Sequence, residues 1–206
     1  ASAQVFLNVL RDSLNGSRGD SELLLARVDL SALFPEAAAK YVEARGGKVL
    51  TAHTVTAIDE MENGFSVTAA GQQFEFSHVI CALPSFRAHG FLLGSTALAE
   101  VAEITGKLEY QPIYTVYLQY PQAVRLPLPM LALDGGYTQW LFDREALCNQ
   151  RGLLAAVISA TGQHQALTQD ELALKVQHEI QENFGPLPEP EWRWVVAEKR
   201  ATFSCT

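Results

Sequence analysis

The side chains best suited to moving protons near neutral pH are five histidines, His53, His78, His89, His164 and His178. No two of them fall within one helical turn, so the spacing offers no pair of metal ligands, and they read as surface or loop histidines. The acidic trio Asp59, Glu60 and Glu62 has the right chemistry for acid–base work. It adjoins Asn63-Gly64, however, and such a dipeptide between apolar runs marks a solvated turn. Cys81, Cys148 and Cys205 are too few and too irregularly placed for a disulfide framework or a zinc site, so the expected metal content is none. The 206 residues contain no G-x-G-x-x-G, G-x-x-x-x-G-K-[ST], H-E-x-x-H or G-x-S-x-G. What remains is a set of aromatics, Tyr114, Tyr117, Tyr120, Tyr137, Trp140 and Phe142, which suits an apolar channel able to steady passing positive charge. Because side chains on a strand alternate between its faces, half of such a set is expected in the core. Tyr137 and Trp140 are the preferred channel candidates.

The bulk composition narrows the partners. Hydrophobic residues make up 48% of the chain, enough for one sizeable core, and the net charge is -8 with fifteen scattered Lys and Arg. That pattern excludes an electrostatic footprint for nucleic acid. No apolar run reaches the length of a membrane-spanning helix, which gives the expectation of a soluble or at most peripheral, cytoplasmic protein.

Periodicity supplies the elements that must position these residues. Ser2 to Leu14 carries Val5, Phe6, Val9, Leu10 and Leu14 on a helical stripe ended by Asn15-Gly16. Asp29 to Arg45 is a second helical stretch, its helix proper starting near Pro35 because proline is tolerated in a first turn. From Lys48 the period changes to two. Lys48 to Leu50, Thr54 to Glu60, Gly64 to Ala69, Gln73 to Ser77 and Val79 to Ala82 read as strands, with turns at Asn63-Gly64 and Ala70-Gly71. A helix is expected over Ala97 to Ile104, then strands at Ile113 to Tyr120, Met130 to Leu133, Tyr137 to Phe142, Leu153 to Ser159 and Trp192 to Glu198. Thr168 with Glu171 three residues on is a capping box opening a helix that runs to Gly185-Pro186. The fold class is therefore α+β: an antiparallel or mixed sheet backed by helices, with a smaller strand-rich portion.

The order helix, Gly46-Gly47-Lys48-Val49, Val55-Thr56-Ala57-Ile58, hairpin Gly64 to Phe76 and Val79-Ile80-Cys81-Ala82-Leu83-Pro84 resembles the flavin-containing amine oxidase and phytoene desaturase superfamily. Phe6-Leu7-Asn8-Val9-Leu10, the stretch Leu23 to Pro35, Gln139-Trp140-Leu141-Phe142-Asp143-Arg144 and Glu198-Lys199-Arg200-Ala201-Thr202-Phe203 narrow the similarity to the hydroxysqualene dehydroxylase family. The resemblance implies an internal piece of an FAD-dependent oxidoreductase, 1–45 and 85–206 belonging to the substrate domain and 46–84 to the FAD-binding domain. It implies that the backbone of Val55 meets the adenine end of FAD and that Ala82, Leu83 and Pro84 lie close to the dinucleotide. It further implies an isoprenoid substrate and allows a peripheral membrane contact in the parent at the inner face, while the charge pattern above gives the expectation of no nucleic-acid partner. The glycine-rich pyrophosphate loop is expected upstream of Ala1 and a Gly-Asp segment downstream of Thr206, so the chain by itself is not expected to hold FAD stably or to be active. Two alternatives stay open: a flavin-dependent desaturase or amine oxidase, and a non-catalytic apolar-ligand domain.

Overall fold

A computed structural model describes residues 2–14, 16–95, 98–121 and 124–205. It divides into two compact units, the first made of residues 1–37 and 110–206 and the second of residues 38–109.

The first unit is built on five antiparallel strands in the order β5-β6-β7-β4-β8. These are β4 (Tyr110–Gln119), β5 (Met130–Ala132), β6 (Trp140–Asp143), β7 (Leu153–Ser159) and β8 (Trp192–Phe203). The register sends alternate residues to opposite faces. Leu141, Ala156, Val116 and Val195 stand opposite one another across the sheet, and Leu154 stands opposite Leu118 in the next such row. All six are buried. They pack beneath helix α7 (Gln169–Phe184), whose Leu172, Ala173, Val176 and Ile180 return at helical spacing to complete the core.

Helix α7 starts where its capping box lies. The Thr168 hydroxyl accepts from the Glu171 N–H (3.2 Å), and the Glu171 carboxylate accepts from the Thr168 N–H (2.8 Å). It stops at Gly185, whose φ of 84° only glycine adopts without strain. The Thr168 hydrogen bonds hold the Glu171 carboxyl below its ordinary range. Helices α1 (Ala3–Leu14) and α2 (Leu30–Leu33) belong to the same unit, and Asp29 caps α2 by accepting from the Ala32 N–H at 3.0 Å.

The second unit is a three-stranded antiparallel meander of β1 (Val55–Met61), β2 (Gly64–Ala69) and β3 (Gln72–Phe76), with helices α4 (Ser85–Leu92) and α5 (Ala99–Gly106). Ala70 and Gly71 both have positive φ (50° and 75°), which matches the two-residue hairpin turn their strands require. Helix α3 (Pro35–Glu43) spans the division between the units.

Several expectations need correction. Lys48 to Leu50 forms no strand, and Val79 to Ala82 has no ladder partner among the described residues. Apolarity marks what a segment would bury; pairing requires a neighbouring strand, and Ile80 is left 92% exposed. The first hairpin turn is centred on Glu62-Asn63, one residue earlier than expected, because Met61 pairs with Gly64. Strand β6 begins at Trp140 rather than Tyr137, since the N–H groups of Tyr137 and Thr138 donate to the Glu179 carboxylate (2.6 and 3.1 Å) instead of to a strand. Strand β8 runs on to Phe203. Helices α4 and α6 (Arg144–Cys148) lacked a signal strong enough to be expected. Asn15, Ala97 and Thr206 lie outside the described residues.

Candidate functional site

The face of the five-stranded sheet opposite α7 carries two rows of side chains. One runs Phe142, Ala155, Tyr117, Trp194 and the other Trp140, Val157, Thr115, Val196, each on β6, β7, β4 and β8 in turn. No charged residue stands in either row. Trp140, Trp194 and Val196 are exposed. The segment 25–30 passes over part of this face, leaving a cavity of about 280 Å³ between Leu25, Ala26, Val28 and Leu30 on one side and Thr115, Tyr117, Phe142, Ala155 and Val157 on the other. Leu147 and Cys148 of α6 close one flank.

The two charged residues at this cavity are occupied elsewhere. The Asp29 carboxylate caps α2, and Arg144 Nε donates to Gln150 Oε1 at 2.8 Å. The side-chain hydroxyls of Thr115 and Tyr117 have no hydrogen-bond partner among the described residues. The arrangement is therefore an apolar, aromatic wall with two open hydroxyls.

Of the six aromatics singled out, the structure sorts three to this wall, Tyr117, Trp140 and Phe142. Tyr114, Tyr120 and Tyr137 pack into the core beneath α7. Tyr137 and Trp140 are thus not brought to one face. Burial of Tyr120 pushes its phenol up to about 12, with Arg193 lowering it and Glu189 raising it by lesser amounts, so it is a poor proton donor. Thr115 and the 25–30 segment were missed. Thr115 lies out of phase with the Tyr114, Val116 and Leu118 stripe that marked the strand, and that phase was the available clue.

In the second unit Val55 is half-buried at the start of β1, next to a register shift between Val55 and Ala57. Ala82, Leu83 and Pro84 lead into α4 with no ladder pairing. A separate cavity of about 420 Å³ is lined by Ile58, Phe65, Val79, Cys81, Phe91 and Leu98 among others, with Asp59 and Glu60 at its edge; none of Val55, Ala82, Leu83 and Pro84 lines it. Ser95 donates to Glu60 at 2.8 Å, so that carboxylate is partly engaged.

The histidines do not gather. His164, expected at the surface, is only 3% exposed, its ring set edge-on to Tyr114 with centroids 4.8 Å apart, and burial lowers its pKa. His178 faces Glu182 across one turn of α7 at 3.2 Å, an exposed pair. Among the described residues no three His, Cys, Asp or Glu side chains are grouped for a metal, and no helix is long and apolar enough to cross a membrane.

A sheet closed by a helix on one face and open and aromatic on the other, joined to a strand meander with unladdered main chain, defines an α+β protein built around an apolar wall. Residues 12–205 match the family model described as flavin containing amine oxidoreductase, and the chain belongs to that family. It is 27% identical to hydroxysqualene dehydroxylase of Sinorhizobium fredii, over 96% of this chain and 45% of that protein. It thus spans less than half the length of that curated relative. A putrescine oxidase variant has the same fold with a TM-score of 0.61 at 18% identity, covering 79% of this chain and 38% of that one. Cyclohexylamine oxidase from Brevibacterium oxydans follows at 0.56 and 15%, with the same coverage of both chains.

Proposed function

We propose that this chain carries the substrate wall and part of the cofactor-binding unit of an FAD-dependent oxidoreductase acting on an apolar, isoprenoid-type molecule, with reductive dehydroxylation of hydroxysqualene as the particular reaction. The observation that carries the reading is the open sheet face: two uncharged rows rich in aromatics, roofed by Leu25 to Leu30, form a surface that a hydrocarbon chain can lie against. The cavity is smaller than the roughly 300–1,000 Å³ of complete small-molecule sites. It would take a segment of a long molecule, Trp140 and Trp194 extending the wall beyond it.

Residues of the second unit suit a dinucleotide at two places. Main-chain N–H and C=O groups recognise a heteroaromatic edge without a particular side chain, which fits an apolar residue such as Val55 beside a break in regular pairing. The segment Ala82, Leu83 and Pro84 has unladdered main chain, and Ala82 adds no bulk there. Val55 would meet the adenine end through its main chain, and Ala82, Leu83 and Pro84 would lie close to the dinucleotide. When bound, the flavin supplies the hydride chemistry. The protein's share is to hold an apolar substrate, exclude water from it and stabilise developing positive charge with aromatic faces. So apolar a substrate is drawn from a bilayer, so a peripheral membrane contact belongs to the proposal; nucleic acid does not.

The test is to express the whole reading frame that encodes these residues, record its flavin absorbance and assay it anaerobically with reductant on hydroxysqualene, and separately with an electron acceptor on squalene and phytoene. Yellow protein that forms squalene from hydroxysqualene is the expected result. Colourless protein that takes up no flavin on reconstitution overturns the reading, and desaturated products would replace dehydroxylation with the reverse flow of hydride.

A further inference from the structure

The wall described above is apolar except at one spot. Thr115 and Tyr117 lie two residues apart on β4, on the same face, and both line the 280 Å³ cavity. Apart from them the lining consists of aliphatic and aromatic side chains, a thiol, a carboxylate committed to capping α2 and a guanidinium that reaches Gln150 through Nε. Neither hydroxyl is taken by a protein partner among the described residues. Across the sheet Tyr117 stands opposite Ala155, whose single methyl leaves room beside the phenol, and opposite Trp194 on the other side. A hydroxyl in an apolar cavity favours a ligand that offers it a polar atom, because desolvating it without a partner is costly.

We propose that Tyr117 is the positioning residue that hydrogen-bonds the hydroxyl of an otherwise apolar alcohol, with Thr115 as the second hydroxyl beside it, so that this cavity selects the oxygen-bearing segment of the substrate over plain hydrocarbon. The inference rests on the open face being the substrate wall. Tyr117 is the stronger of the two because its phenol both donates and accepts and reaches further from the strand. A neutral alcohol also suits it better than it suits Arg144, whose charge favours carboxylates and phosphates.

The experiment uses the protein encoded by the whole reading frame and two probes that share a carbon skeleton, the allylic alcohol linalool and the hydrocarbon myrcene, with binding followed by quenching of tryptophan fluorescence. The wild-type chain is expected to bind linalool about fivefold to tenfold more tightly than myrcene, the range of one neutral hydrogen bond. Tyr117→Phe is expected to abolish that preference by weakening linalool alone, with myrcene unchanged, which a merely structural role would not produce. Thr115→Val is expected to reduce the preference less, and it supplies a second reading should Tyr117→Phe lose its fold by circular dichroism. A preference that survives both substitutions places the polar anchor elsewhere and overturns the inference. Equal binding of the two probes by the wild type overturns it while leaving the substrate wall in place. No binding of either probe, with Ala155→Leu equally silent, overturns the wall and the inference together.

Discussion

The two faces of the five-stranded sheet are made from the same strands, one residue out of phase, and they differ in almost every physical respect. Toward α7 the side chains of Val116, Leu118, Leu141, Leu154 and Ala156 are fully buried and interlock with a helix. On the other face Trp140, Trp194 and Val196 are exposed and Thr115 and Tyr117 have unused hydroxyls. Burying an apolar side chain stabilises by about 1.5–3 kcal/mol, so the first face holds the unit together. The second, part exposed and part covered by residues 25–30, buries less apolar surface and contributes less to folding. A strand's period of two lets one segment serve both ends at once.

The comparison can be broken by substitution. Leu118→Ala should cost about 2–5 kcal/mol in urea unfolding, through lost transfer energy plus a cavity. Its neighbour Tyr117→Phe should change stability by less than about 0.5 kcal/mol. Similar losses at both positions would mean that the open face is also core. Thr168→Ala removes the cap of the helix that shuts the first face, and should lower stability by about 1 kcal/mol in the same assay.

His164 sharpens the comparison by pH. It packs on Tyr114, on the α7 side of β4, and burial lowers its pKa below the ordinary 6.5. The unfolded chain therefore binds the proton first as pH falls. Stability tied to the neutral ring is present above the ordinary value and is lost as pH falls through the lowered one. Melting temperature should drop between pH 7.5 and 5 more for the wild type than for His164→Phe, and parallel pH profiles would count against it. A further test lies in the second unit. Ala70→Gly should stabilise slightly, by up to about 1 kcal/mol, because Ala70 sits at φ 50° in a turn that favours residues without a Cβ. A loss there would show that the turn, like the open face, is held by something beyond its own backbone.

How much of this was legible depended on whether a signal was local. The capping box at Thr168 and Glu171 and the glycine stop at Gly185 are complete within the helix they bound, and so the helix could be read to within a residue. The α+β class and the strands of the five-stranded sheet followed from alternation, which is equally local. Which of two alternating sets faces the helix is set by partners far along the chain, and Tyr137 shows the limit: its place beneath α7 depends on Glu179, forty-two residues away. Val79 to Leu83 is the converse case. Its apolarity is plain, but a strand exists only beside another, and no local pattern names the neighbour.

The first unit is discontinuous, its opening residues separated from β4 by the whole of residues 38–109. The Ser2 N–H donates to the carbonyl of Cys205 at 2.8 Å, and β4 is flanked by β7 and by β8, both of which follow it in the chain. During synthesis the three-stranded meander can close as soon as it leaves the ribosome, since each of its strands pairs with a sequence neighbour. Tyr110 to Gln119 has no such option on its β8 edge. Until β8 emerges, the face bearing Tyr117 lacks Trp194 and Val196, and the wall is completed only when β8 pairs with β4.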